Sequence, residues 1–203
     1  MNSVPEEKNN EASFISPDYV RISMAAAIEL GLKPGRISCC SCDCINLLQN
    51  YPQGCYANCT YCGLARERPG AAEDNSFIRV DWPLYPTALV AEKIGELERK
   101  KEVGRVCVAH VQDHRANMDL VDMISRVRFQ APDVPISALV TATLLNDEWL
   151  MKVKDAGADI IGVGWMRHQR NFFTVPVAKA PRGLMTGRST GGSYARLEKC
   201  SVQ

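Results

Sequence analysis

The chain has 203 residues, with 24 Lys and Arg against 23 Asp and Glu, so its overall charge calls for no nucleic acid or other polyanion. That length suits one domain with a sizeable core. No run of 18 apolar residues marks a membrane span, and residues 1–20 lack the apolar segment of a signal peptide. Nine cysteines without such a signal point to a reducing, cytoplasmic setting, where clustered Cys read as metal ligands rather than disulfides.

In chain order, residues 1–15 are polar and rich in Asn and Glu, a disordered lead-in. Ser16-Pro17-Asp18 has the features of a helix start, with a capping hydroxyl, a Pro for the first turn and an acid for the dipole. Ala25, Ala26, Ile28 and Leu30 continue that helix until Gly31 and Pro34-Gly35. Cys44 to Gln49 reads as a first strand, and Asn50 to Gly54 lead into a cysteine loop. Gly63 to Arg68 is a short helix or turn, and Phe77 to Val80 a short extended piece. Tyr85-Pro86-Thr87 opens a helix in which Leu89, Val90, Ile94 and Leu97 recur at helical spacing through Lys101.

Arg105 to Val111 is a continuous apolar run, the pattern of a buried strand. Asn117 to Phe129 is the next helix, Pro135 to Val140 a third strand, Asn146 to Ala156 a capped helix, and Asp159 to Gly164 a fourth strand. Apolar strands alternating with helices predict an α/β core over residues 16–164, with a parallel sheet and helices outside. Ligands of such folds gather at the strand C-termini. There the sequence places the cysteine loop, then His110 to Arg115, Thr141 to Thr143 and Gly162 to Gly164.

The cysteine loop holds Cys55, Cys59 and Cys62, spaced C-x3-C-x2-C. Three thiolates at this spacing suit a soft metal centre, and each can ligate one iron of a [4Fe–4S] cluster, leaving the fourth iron for a ligand that is not protein. A structural zinc site is the alternative. It needs four closed ligands, and Cys39, Cys40, Cys42 and Cys44 lie near enough in sequence to complete it.

This loop resembles that of the radical S-adenosylmethionine (SAM) superfamily. In that family the fourth iron chelates the methionyl amino and carboxylate groups of SAM. An aromatic residue usually precedes the third Cys and lies against the cofactor, the place held here by Tyr61. The resemblance implies a partial (βα) barrel, with about four of six expected strands recognisable. It also implies a [4Fe–4S] cluster, SAM as cofactor, an electron donor such as flavodoxin or ferredoxin, and reductive cleavage of SAM to methionine and a 5′-deoxyadenosyl radical that abstracts hydrogen from an unactivated C–H.

His110, Gln112 and Asp113 are candidates for binding the methionyl or ribose part of SAM or the substrate, with a solvated polar loop as the alternative for each. The Gly-Gly-Glu-like motif that such enzymes often show after this strand is absent, which leaves the methionyl contacts unassigned. Lipoyl synthases carry three Cys upstream for an auxiliary, sulfur-donating cluster. Here Cys39, Cys40, Cys42 and Cys44 form a tighter run, either ligands of a second Fe–S cluster or thiols beside the first. Biotin synthases place a cluster-ligating Cys on the strand that holds Cys107, and another on the next strand. Here that next strand reads Ser137-Ala138-Leu139, so Cys107 is taken as a core residue.

The closest likeness is to the biotin-synthase and lipoyl-synthase branch. It implies sulfur insertion into a small-molecule or acyl-carrier substrate, with no nucleic acid or membrane partner. A carbon-skeleton or cofactor-maturation enzyme and a non-catalytic Fe–S or zinc module stay open.

From Trp165 onward seven Lys and Arg face one acid, Glu198, and helical periodicity stops. The basic tail, 165–203, reads as an out-of-frame continuation. Allowed codons read one base earlier spell an acidic segment starting Leu-Asp-Ala, resembling the Gly-Val-Gly-Leu-Asp-Ala run common in this superfamily. A genuine disordered basic tail is the alternative. A frameshifted chain would lack the later barrel strands and cleave SAM poorly.

Overall fold

The computed structural model describes residues 14–37, 43–59, 62–67, 81–141 and 145–164. The expected extended piece at 77–80, Tyr61, Cys39, Cys40, Cys42 and the tail from Trp165 lie outside the described residues.

Six strands form one open, mixed sheet. They are β1 (Tyr19–Ile22), β2 (Cys44–Gln49), β3 (Leu84–Pro86), β4 (Arg105–Ala109), β5 (Ile136–Thr141) and β6 (Ile160–Gly164), in spatial order β3-β1-β2-β4-β5-β6. The four expected strands β2, β4, β5 and β6 are adjacent and parallel. The helices are α1 (Met24–Glu29), α2 (Thr87–Lys100), α3 (Ala116–Gln130) and α4 (Asp147–Asp155).

The start of the chain departs from its local signals. Residues 19–22 are a strand, antiparallel to both β2 and β3, and not the first turn of a helix. Val20 and Ile22 alternate with Tyr19 and Arg21, and both are fully buried. Burying that alternating face between two strands outweighs a three-residue capping signal. Ser16 instead donates its hydroxyl to Tyr19 O and accepts from Asn50 N, each at 2.9 Å. The helix begins at Met24, capped by Ser23, whose side chain accepts from Ala26 N at 3.2 Å.

The pleat divides the parallel strands into two faces. Ile45, Leu47, Val106, Val108, Ile136, Ala138 and Val140 pack with Val90 and Ile94 of α2, Leu120, Met123 and Ile124 of α3, and Trp149 and Val153 of α4 in one buried cluster. The other face carries Cys44, Asn46 and Leu48, then Arg105, Cys107 and Ala109, then Ser137, Leu139 and Thr141. In register, Asn46 lies opposite Cys107, Cys107 opposite Ser137, and Leu139 opposite Gly162. On this second face Leu139 is 37% exposed and Ile160 44%, while Leu48, Ala109 and Ser137 are buried. Arg128, in the last turn of α3, donates to the carbonyls of Pro132, Val134 and Gly157 and pairs with Asp159 at 2.8 Å, fixing where β5 and β6 begin.

The cap on α4 offers a direct test. Asn146 is extended, and its side chain accepts from Trp149 N at 2.8 Å. Trp149, 4% exposed, anchors that first turn in the core. Asn146→Ala is expected to cost about 1 kcal/mol, read as a lower urea midpoint at unchanged slope. A midpoint equal to the parent's would show that Trp149 packing alone holds the turn.

Candidate functional site

The site is built where β2 ends. Gln49 closes an apolar strand with an amide that is 1% exposed. Its Nε2 donates to Ala116 O at 2.7 Å, and its Oε1 accepts from Val111 N at 3.0 Å. One side chain thus joins the end of β2 to the loop after β4 and to the first turn of α3. The chain then turns at Gly54, whose φ of 73° suits a residue without Cβ, with Gly54 N donating to Tyr51 O.

Beyond that turn the cysteine loop is stitched to the loop after β4. Gln112 N donates to Cys55 Sγ at 3.3 Å, and Tyr56 N donates to Gln112 O at 2.9 Å. The floor is a small apolar cluster of Leu48, Tyr51, Trp82, Ala109, Val111 and Ala116, against which Cys55 and Leu64 pack. Two further turns carry the remaining thiols, with Cys62 N donating to Cys59 O at 3.1 Å and Ala65 N to Cys62 O at 3.3 Å. Cys62 is buried, while Cys55 and Cys59 are half-buried. Burial pushes the Cys59 thiol up, and the nearby Cys55 adds to the rise.

The residues after β4 diverge. Gln112 stays at the loop, its Nε2 donating to Thr141 Oγ1 at 3.2 Å and so bridging to the end of β5. Asp113 accepts from Arg115 N and meets His114 Nδ1 at 3.1 Å. His110 goes the other way, towards the helices: its Nε2 meets Asn117 Oδ1 at 3.0 Å, and its ring lies edge-on to Trp149. Burial lowers its pKa, which the Asn117 contact partly offsets. Burial thus favours the neutral ring, and among the described residues its buried Nδ1 has no hydrogen-bond partner.

Beside the loop, Tyr51 donates its hydroxyl to Asp119 Oδ2 at 2.8 Å, with Arg115 Nε at 3.6 Å from the same oxygen. Burial raises the Asp119 pKa, and the Tyr51 hydrogen bond and Arg115 only partly oppose it. A carboxyl raised in the folded state favours folding while it is protonated. That contribution is complete below the unfolded pKa of about 3.9 and is lost as pH rises through the folded value. Asp119→Asn keeps an acceptor for Tyr51 and removes this loss. Urea titrations from pH 4 to 7 are expected to show a flatter stability profile for the variant. Parallel profiles would refute the assignment.

The open sheet face holds a second sulfur pair. Cys44 Sγ and Cys107 Sγ lie 3.3 Å apart, with Asn46 Oδ1 at 3.8 Å from Cys44. Arg105 Nη1 donates to Ser137 Oγ at 2.7 Å beside them. The hydrogen bond from Cys44, with help from the Arg105 charge and Ser137, pulls the Cys107 thiol down to about 7 against the effect of burial. Cys107 is half-buried and outside the main cluster, so it is not a packed core residue. Its place in the pleat puts it on the face opposite that cluster.

Sequence reasoning missed Gln49, Tyr51, Asp119 and the Cys44–Cys107 contact. Gln49 had left one trace, an amide ending an apolar strand directly before the cysteine loop.

The radical SAM superfamily model matches residues 50–165, more than half of the chain, including the cysteine loop and the residues after β4. The chain belongs to the radical SAM superfamily. No curated protein and no solved structure matched it. Radical SAM proteins use a [4Fe–4S] cluster and SAM, and the donor set here fits the cluster. It offers three thiols on one short loop, none in a disulfide, with a backbone N–H already directed at one sulfur. Hydrogen bonds to sulfur are among the features that tune such clusters. Among the described residues no three His, Cys, Asp or Glu side chains converge as ligands of one ion. Cluster thiolates bind separate irons and need not converge in that way. No helix among the described residues is long and apolar enough to cross a membrane.

Proposed function

We propose that this radical SAM protein binds its cluster through Cys55, Cys59 and Cys62, and SAM beside it, at the C-terminal ends of β2, β4 and β5. The observation that carries this reading is the reciprocal pairing of Cys55-Tyr56 with Gln112, which fixes the cysteine loop at the strand ends where βα folds take ligands. A bound cluster and SAM supply one-electron reductive cleavage of the sulfonium, giving methionine and a 5′-deoxyadenosyl radical.

The residues of the chain position and shield. Gln112 orients the Cys55 sulfur through its N–H and, through Thr141, ties the loop to β5. Leu48, Tyr51, Trp82 and Val111 form a dry floor beneath it, which limits quenching by water. Asp113 lies next to Gln112 as the nearest candidate for a polar group of SAM or substrate, and Tyr61 is the candidate aromatic contact to the cofactor. His110, on the helix side, keeps its Nδ1 buried among the helices rather than at the cysteine loop. Anaerobic reconstitution with iron and sulfide, then incubation with SAM and a low-potential reductant, should yield deoxyadenosine and methionine in equal amounts. A protein that takes up no [4Fe–4S] cluster would overturn the reading, whereas a cluster-loaded protein that forms little of either product is what the out-of-frame tail predicts.

Within the superfamily we favour sulfur insertion into a small-molecule or acyl-carrier substrate, as in the biotin-synthase and lipoyl-synthase branch, served by a flavodoxin or ferredoxin in the cytoplasm. Its support is the concentration of sulfur around the start of β2, where Cys39, Cys40, Cys42 and Cys44 precede or open the strand and Cys44 touches Cys107. If the upstream four hold an auxiliary cluster, replacing all of them lowers iron to about four per chain, the content of one [4Fe–4S] centre. Unchanged iron would remove the auxiliary cluster from the proposal.

A further inference from the structure

We propose that Arg105 anchors the carboxylate of an elongated substrate acid, whose chain lies along the sheet face opposite the helix-packed cluster and whose far end reaches the cysteine loop. Its place as a substrate anchor rests on the reading that the reaction occurs at that loop. The pleat puts Arg105, Cys107 and Ala109 of β4 on this face, with Ser137, Leu139 and Thr141 of β5 beside them. Arg105 is half-buried, and its guanidinium leans one row up the face, where Nη1 donates to Ser137 Oγ at 2.7 Å. Ser137 is 4% exposed, so this contact holds the guanidinium in place. Among the described residues no Asp or Glu forms an ion pair with Arg105. A guanidinium steadied by a neutral hydroxyl keeps its charge and most of its donor fork for an anion, and the planar fork matches a carboxylate.

The face above the anchor suits a hydrocarbon chain. Leu139 follows Ser137 on this face of β5 and is 37% exposed. It lies opposite Gly162 and leans into the room a side chain there would need, with Leu139 Cδ2 at 2.6 Å from the place of a Cβ. Ile160, opposite Ser137, is 44% exposed and widens the apolar strip. The strip ends at Thr141, which accepts from Gln112 Nε2, while Gln112 N donates to Cys55 Sγ. From Ser137 to Thr141 the strand rises by about 13 Å. An acid held at Arg105 must be long enough to bring a C–H across that distance to the strand ends. Charge at one end, apolar contact along the middle and reaction at the other end define the substrate class.

The test is calorimetric titration of the full chain, reconstituted with iron and sulfide, with heptanoate, heptanol and acetate. Heptanoate is expected to bind about tenfold more tightly than heptanol, the lower end of what a hydrogen bond to a charged group contributes. Acetate should bind about tenfold more weakly than heptanoate, because it leaves the apolar strip uncovered. Arg105→Gln should erase the preference for heptanoate over heptanol, and Arg105→Lys, which keeps the charge without the fork, should restore part of it. Leu139→Glu changes an exposed side chain and sets a carboxylate in the path of the acid, so it should also weaken heptanoate binding. That variant decides should Arg105→Gln not fold. Equal binding of heptanoate and heptanol by the parent, binding of neither, or heptanoate binding unchanged in the deciding variant would overturn the proposal. Cluster uptake tests the cysteine loop separately. A chain that binds heptanoate but takes up no cluster keeps the anchor and loses the reaction centre, and one that takes up a cluster but ignores heptanoate loses the anchor alone.

Discussion

Cys55→Ala, Cys59→Ala and Cys62→Ala are each expected to abolish the [4Fe–4S] absorption and take deoxyadenosine formation to background. The three thiolates would bind three different irons, so no partial set is equivalent to the whole, and neither a methyl group nor a hydroxyl replaces a thiolate at a soft centre. The structure adds reasons for the outer two positions. Cys55 takes the Gln112 N–H, and Cys62 is 8% exposed in the turn that also receives Ala65 N. The fold should survive each change, because the parallel strands and their helices form a separate core. Thermal melts of the cluster-free proteins should therefore nearly coincide with the parent's, which separates loss of the cluster from loss of structure. Cys200→Ala, far along the chain, should alter neither readout. A Cys59→Ala protein that keeps a full cluster still able to cleave SAM would end the assignment.

Gln49→Leu is expected to be the most damaging single change to the scaffold. Leucine has nearly the right volume but strips Val111 N–H and Ala116 C=O of their partner in a place where the side chain is 1% exposed. Each unsatisfied buried group costs about 1–3 kcal/mol, so the sum, roughly 2–6 kcal/mol, is a large part of a typical domain's stability of about 5–15 kcal/mol. At about 2–4 °C per kcal/mol for a chain of this size, the melting temperature should fall by roughly 10 °C. The loss should also reach the site, since the loop that Gln49 holds is the one that delivers Gln112 to Cys55. Deoxyadenosine formation measured well below the variant's melting temperature should thus decline along with stability. A urea-derived stability within about 0.5 kcal/mol of the parent, the ordinary range for surface substitutions, would show that water replaces the amide and that Gln49 is not the clamp described.

Periodicity is local, and whatever depended on it was legible in the sequence. The apolar runs at β2, β4, β5 and β6 identified four adjacent parallel strands, because a strand covered by helices needs apolar residues that any reader can count. The helical spacing of Val90, Ile94 and Leu97 placed α2, and Asn146 marked the start of α4 through a hydrogen bond only three residues long. The C-x3-C-x2-C spacing pointed to the family for the same reason: the chemistry of three thiolates is confined to eight residues.

Tertiary structure decided what required a partner distant in sequence. Tyr19 to Ile22 became a strand because β2 and β3 lie on either side of it, a fact absent from the Ser-Pro-Asp signal before it. Cys107 left the core because the pleat gives alternate residues of β4 to opposite faces, and only the pairing with β2 and the position of the helices tell which face is covered. The same pairing brought together Cys44 and Cys107, 63 positions apart, and sent His110 to the helices while Gln112 met the cysteine loop. Composition and spacing determined which elements and which chemistry this chain carries. Register and pleat parity, which exist only once strands have paired, decided which side chains share a site.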